Sequence, residues 1–171
     1  LPLVEPRGHR LRPTSGLVRE ALFNILGDTV TGASVLDLYA GTGSLGLEAL
    51  SRGAASATFV DAEAAACQAI LQSAGRAGFS DRVRVIRGRL PGALRSVEGR
   101  FDLVLCDPPY AAVDVAETLT GAAGLLAPGG RIVSEHSSRY NPPQVLGRLL
   151  LQDRRVYGDT ALAWYALQEG E

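Results

Sequence analysis

The sequence predicts an α/β domain on a doubly wound sheet of seven strands, mostly parallel, ending in an antiparallel C-terminal hairpin. Two observations carry this. Strand-like and helix-like runs alternate between residues 35 and 135, the pattern of a parallel sheet with helices on both faces. The tail breaks the pattern, because only Tyr157-Gly158-Asp159-Thr160 separates its two strand-like runs, and a parallel crossover needs about a dozen residues or more. The chain has 171 residues, is 46% hydrophobic and 20% charged, and suits one domain over 1–171, with the basic segment and helix of 1–28 included.

Residues 1–13 read as irregular, interrupted by Pro2, Pro6 and Pro13. Thr14 or Ser15 is expected to cap a helix whose apolar residues Leu17, Val18, Ala21, Leu22, Ile25 and Leu26 fall at helical spacing. Strands are then expected over 35–39, 57–60, 83–87, 101–106 and 131–135. Helices are expected over 44–52, 62–77, 91–97 and 113–126, with a turn at Pro128-Gly129-Gly130. The closing hairpin takes 149–156 and 161–167.

Composition narrows the function. No apolar run approaches the roughly 18–20 residues of a membrane span, and the first residues do not resemble a signal peptide. Met is absent, so Leu1 is not expected to be a natural start, and the chain is read as trimmed or incomplete there. Cys67 and Cys106 lack metal-ligand spacing, and His9 and His136 stand apart from them, so no metal is expected. Two reduced cysteines suit a cytoplasmic protein. The net charge is −1, yet all 17 basic residues are Arg. Arg7, Arg10, Arg12 and Arg19 form one stretch without acids, and residues 76–100 hold seven Arg against Asp81 and Glu98. Such stretches permit a phosphate-binding face.

Asp37-Leu38-Tyr39-Ala40-Gly41-Thr42-Gly43-Ser44-Leu45-Gly46 follows the first strand. Gly41-x-Gly43-x-x-Gly46 matches the dinucleotide fingerprint, and Asp61, 18 residues beyond Gly43, stands where a ribose-binding acid belongs. An NAD enzyme is therefore one reading. Two features favour S-adenosylmethionine instead. Asp37 lies four residues before Gly41, where an acid suits a cationic ligand end and repels a pyrophosphate. A later strand ends in Asp107-Pro108-Pro109-Tyr110. Asp37, Gly41, Asp61 and Asp107 all fall at carboxyl ends of strands, where ligands bind in such sheets. The expected cofactor contacts are Asp37, Tyr39, Ala40, Gly41, Thr42, Gly43, Asp61 and Asp107, with Arg89 and Leu90 flanking the adenine. For Asp61, a helix N-cap is the competing reading.

The prolines stiffen the second loop and remove two N–H donors. Asp107 then offers a carboxylate, Pro108 a carbonyl and Tyr110 a flat ring, which together suit a planar aromatic amine. Acceptors placed where positive charge develops stabilise the transition state for attack by such an amine. Glu135-His136 ends the fifth strand and reads as structural or pocket rim, with a general base as the alternative.

These motifs resemble those of Rossmann-like amino-methyltransferases that use S-adenosylmethionine. Arg12-Pro13-Thr14…Val18-Arg19-Glu20-Ala21-Leu22-Phe23-Asn24, Val35-Leu36-Asp37-Leu38-Tyr39-Ala40-Gly41-Thr42-Gly43, Gly46-Leu47-Glu48-Ala49-Leu50-Ser51-Arg52-Gly53 and Arg155-Val156-Tyr157-Gly158-Asp159-Thr160 resemble, more specifically, the RsmD family. That family methylates the exocyclic N2 of a guanine in 16S ribosomal RNA. The resemblance spans about residues 9–167. The chain departs from it in a shortened or altered N-terminal hairpin and in Gly88-Arg89, where relatives often carry Asp or Asn.

The resemblance implies catalytic roles for Asp107, Pro108, Pro109 and Tyr110, and RNA contacts from Arg10, Arg12, Thr14 and Arg19. It implies 16S ribosomal RNA as partner, in a 30S subunit or an assembly intermediate, and a cytoplasmic monomer. The target base must be unpaired or flipped out. A DNA adenine-N6 methyltransferase, a protein glutamine methyltransferase and a non-catalytic nucleotide-binding module remain alternatives to test.

Overall fold

A computed structural model describes residues 15–109 and 112–168. The chain runs α1 (Gly16–Leu26), β1 (Ser34–Leu38), α2 (Ser44–Ser51), β2 (Ser56–Asp61), α3 (Ala64–Ala77), β3 (Val83–Arg87), β4 (Phe101–Cys106), α4 (Val115–Ala122), β5 (Leu126–Ser137), β6 (Val145–Leu146), β7 (Leu149–Tyr157) and β8 (Thr160–Leu167). The strands form one sheet in the order β3-β2-β1-β4-β5-β8-β7-β6. The first five strands in this order are parallel, and β8, β7 and β6 are added antiparallel. The chain winds outward from β1 to β3 and returns beside β1 as β4, so the order reverses between β1 and β4. Ligand crevices in such sheets open at that point, beyond the carboxyl ends of the strands.

Alternation along the strands divides the interior in two. On β8, Leu162 and Trp164 enter one core, which holds Val18, Leu22 and Phe23 of α1 and Ile70 of α3. Ala163 and Tyr165 enter the other, against Leu119 and Ala122 of α4. Burial on both faces explains why 161–165 reads as an unbroken apolar run. Ser15 caps α1 by accepting from the Val18 N–H at 3.2 Å. Thr14 lies outside the described residues. Helix α3 stops at Gly78, whose φ of 78° is left-handed.

Among the described residues the sheet has eight strands rather than the expected seven, because two-residue β6 pairs with β7 at its edge. A pair that short leaves no periodicity to read. Strand β5 starts at Leu126 and runs through the expected turn at Pro128-Gly129-Gly130. The β4–β5 register shifts there, and a Cβ on Gly130 would stand 2.8 Å from the Phe101 carbonyl oxygen. The glycines therefore mark an irregularity inside a strand. The expected helix over 91–97 is a 3-10 turn, Gly92–Ser96. The one expected over 113–126 is α-helical only over Val115–Ala122 and closes as a 3-10 turn, Ala123–Leu125.

Candidate functional site

Register brings the acids together. Leu38 pairs with Cys106 across β1 and β4, and the Asp107 N–H donates to the Leu38 carbonyl at 3.4 Å. The loops after β1, β2 and β4 thus meet at the switch point.

Asp37 is 1% exposed, and its Oδ2 accepts from the Gly46 N–H at 3.0 Å, which fixes the first turn of α2. Burial pushes its pKa well above the usual carboxylate range. The Gly46 N–H pulls it back, and the charges of Asp107 and Asp61 push it further up. The charges of Asp61 and Asp107 therefore both reach Asp37 in one crevice. Asp61 bridges two loops, its Oδ2 accepting from the Gly41 N–H at 2.8 Å and its Oδ1 from the Glu63 N–H at 2.9 Å. It sits at the end of β2 and closes the turn before α3, but the N-cap of that helix is Glu63, without a side-chain cap, so the N-cap reading of Asp61 does not hold.

The glycines have separate reasons. Gly41 and Gly43 hold φ of 57° and 78°, where L side chains are strained. A Cβ on Gly46 would stand 2.4 Å from Phe59 Cε1, so α2 packs on β2 only without one. Thr42 is buried, and the Ala40 N–H donates to the Val60 carbonyl at 3.0 Å. Tyr39 takes a left-handed φ of 55°, and its side chain leaves the loop. Its hydroxyl donates to Asp114 Oδ1 at 2.8 Å and lies 2.9 Å from Thr118 Oγ1. This strut joins β1 to α4, and sequence reading missed it because its partners lie 75 and 79 residues away.

Beyond β4, Asp107 is partly exposed, Pro108 buried and Pro109 exposed. Tyr110 lies outside the described residues, as do Arg10 and Arg12. Arg19 lies on α1 with Nε 3.7 Å from Glu48 Oε1, and Glu48 also accepts from Arg52 at 2.9 Å. Arg89 is exposed, whereas the Leu90 side chain is buried in the core beside α4. Cys67 and Cys106 are buried free thiols, and burial pushes both up in pKa.

The donor set fits S-adenosylmethionine. Converging carboxylates favour a ligand carrying ammonium and sulfonium charges and oppose a pyrophosphate.

Sheet order and switch-point crevice together define a Rossmann-like fold of the methyltransferase class. The solved structure of the Escherichia coli "putative methyltransferase yhhF" superposes with a TM-score of 0.83 at 32% identity, covering 98% of this chain and 91% of that one. The family model described as Conserved hypothetical protein 95 matches residues 1–166, and the chain belongs to this family, the RsmD family. Ribosomal RNA small subunit methyltransferase D of Escherichia coli K12 is 34% identical over 169 residues, 96% of this chain and 83% of that protein. The "putative rRNA methyltransferase YlbH" of Bacillus subtilis is 34% identical over 163 residues, 92% and 89% of the two chains.

Proposed function

We propose that this protein transfers a methyl group from S-adenosylmethionine to the exocyclic N2 of a guanine in 16S ribosomal RNA. The observation that carries the chemistry is the meeting of Asp37, Asp61 and Asp107 at the ends of three neighbouring parallel strands, with Pro108 and Pro109 beside them. The relatives named for small-subunit ribosomal RNA carry the substrate. The substrate form is a 30S subunit or assembly intermediate, met in the cytoplasm by a monomer of one domain. No described helix is long and apolar enough to cross a membrane.

S-adenosylmethionine, when bound, supplies an electrophilic methyl on a sulfonium. Asp61 holds the ribose with carboxylate lone pairs left after the two backbone N–H bonds. Asp37 pins Gly46, so the glycine loop faces the ligand preformed, and a cationic ligand end beside it favours the ionised form of this buried carboxyl. Asp107 and the Pro108 carbonyl accept hydrogen bonds from the two amine N–H groups, and Tyr110 stacks on the base. Held this way, the amine directs its lone pair at the methyl, and alignment supplies much of the rate. Asp107 does not remove a proton before attack; once the nitrogen carries the methyl and a positive charge, its proton passes to solvent water. Arg10, Arg12, Thr14 and Arg19 hold RNA phosphates, contacts that fix position without reading sequence.

The test is product identity. Particles reconstituted from unmodified 16S transcript are incubated with the protein and labelled cofactor, then digested to nucleosides. N2-methylguanosine is the expected product. N6-methyladenosine would assign the loop to adenine chemistry, and absence of any methylated nucleoside would reject the RNA substrate.

A further inference from the structure

A cavity of about 310 Å3 abuts the catalytic turn at Pro108 and Pro109. That is the low end of the range for small-ligand pockets, roughly 300–1,000 Å3. Leu119 of α4, His136 at the end of β5, and Tyr140 and Pro143 beyond it line the other sides. Cys106 pairs with Ser134, so Asp107 and His136 stand one and two residues past the same rung of neighbouring strands.

The outer wall is fixed. The Arg154 guanidinium donates to the carbonyls of Ser138 and Tyr140 at 2.7 and 3.3 Å, and the Tyr165 hydroxyl donates to the Pro143 carbonyl at 2.8 Å. His136 is held too, its ring edge-on to Tyr140 with centroids 5.4 Å apart. Its Nδ1 lies 2.7 Å from the Ser137 carbonyl oxygen. A carbonyl only accepts, so Nδ1 carries the proton. Burial lowers the imidazole pKa, the Ser137 bond raises it and the Arg154 charge lowers it, leaving the ring neutral near pH 7. Nε2 is then a lone-pair acceptor, and it is buried with no hydrogen-bond partner among the described residues. A buried acceptor left in this way calls for a partner, and the ring that carries it lines the cavity.

The chemistry of the bases identifies the partner. In guanine the amine at C2 has N1–H beside it, a donor. In adenine and cytosine the ring nitrogen beside the amine is an acceptor. The other neighbour of the guanine amine, N3, is an acceptor, so an acceptor on the N1 side of the bound amine attracts guanine and repels the other two.

We propose that His136 Nε2 accepts a hydrogen bond from N1–H of the target guanine in this cavity, and so sets the choice of guanine over adenine and cytosine. The proposal rests on the methyl-transfer reading above and assigns His136 as a specificity-determining residue.

The experiment uses 30S particles whose target nucleotide, once mapped, carries guanosine or 2-aminopurine riboside. The analogue keeps the 2-amine and lacks N1–H. Single-turnover methylation of both is compared for the parent, His136→Phe and His136→Gln. The parent is expected to be slower on the analogue by on the order of 10- to 100-fold, since a site built around a hydrogen bond rejects a ligand lacking it. His136→Phe keeps the ring and removes the acceptor, so it slows only the guanosine reaction and brings the ratio near one. His136→Gln restores an acceptor and most of the ratio. A parent indifferent to the analogue, or a His136→Phe variant with the parent's ratio, overturns the proposal. Either result leaves N2-methylguanosine as the product, so the functional reading survives it. A parent that yields N6-methyladenosine instead overturns both.

Discussion

The two halves of the crevice are built in opposite ways. On the β1–β2 side the acids hold the backbone: Asp37 takes the Gly46 N–H, and Asp61 takes those of Gly41 and Glu63. On the β4–β5 side, prolines stiffen the turn, and the walls are held from outside by Arg154 and Tyr165. In the proposed function, the first half takes the cationic cofactor and the second takes a flat base between acceptors and apolar walls. A ligand held before chemistry and a group held during it call for these different constructions.

Substitutions that separate binding from turnover test this contrast, and the largest effect belongs to the β4 side. Asp107→Ala is expected to lower turnover on the order of 100- to 1000-fold, the cost of losing one preorganised transition-state partner. Tyr110→Ala is expected to lose turnover while Tyr110→Phe keeps most of it, because stacking needs the ring. Rapid-quench assays on 30S particles read both. On the other side, Asp61→Ala is expected to weaken S-adenosylmethionine binding by about 1–3 kcal/mol in calorimetry. Turnover at saturating cofactor is expected to change far less.

Asp37 gives a smaller effect with a definite sign. Burial and two neighbouring acids raise its folded pKa, so the folded chain holds this proton more tightly than the unfolded one. Its contribution to stability is full below the unfolded value, about pH 4, and is lost as pH rises through the raised folded value. Asp37→Asn removes the titration. In urea unfolding without cofactor, the variant is expected to show a flatter pH dependence, its stability relative to the parent rising as the pH rises. It is also expected to bind S-adenosylmethionine more weakly, having lost the carboxyl whose ionised form a bound cation favours. A steeper dependence in the variant would contradict the buried-carboxylate account.

The smallest effect falls on the strut between the halves. Tyr39→Phe removes the hydroxyl shared by Asp114 and Thr118. The expected loss is about 1 kcal/mol in chemical denaturation, the net worth of a typical hydrogen bond. An unchanged midpoint would mean that water serves Asp114 and Thr118 equally well.

The same contrast explains what the sequence revealed. The glycine loop and its acids are contiguous or sit at strand ends, so spacing alone placed Asp37, Asp61 and Asp107 at one crevice. The short Tyr157–Thr160 connection likewise predicted the antiparallel end of the sheet. The cavity draws on α4, β5 and the segment around Tyr140, which no periodicity connects. His136 was legible as a pocket rim but not as an acceptor, because that follows from a bond to its neighbour's carbonyl and from burial. Gly129-Gly130 was read as a turn because glycine marks strand irregularities and turns alike.

The division of labour is tested most directly by measuring Asp61→Ala and Asp107→Ala side by side, with cofactor affinity by calorimetry and single-turnover methyl transfer at saturating RNA and cofactor. The account predicts a crossed result. Asp107→Ala binds S-adenosylmethionine within a few-fold of the parent and transfers methyl on the order of 100- to 1000-fold more slowly. Asp61→Ala loses affinity and keeps most of its rate. A near-parent rate in Asp107→Ala would contradict the assignment of the Asp107-Pro108-Pro109 turn as the place where the amine is held.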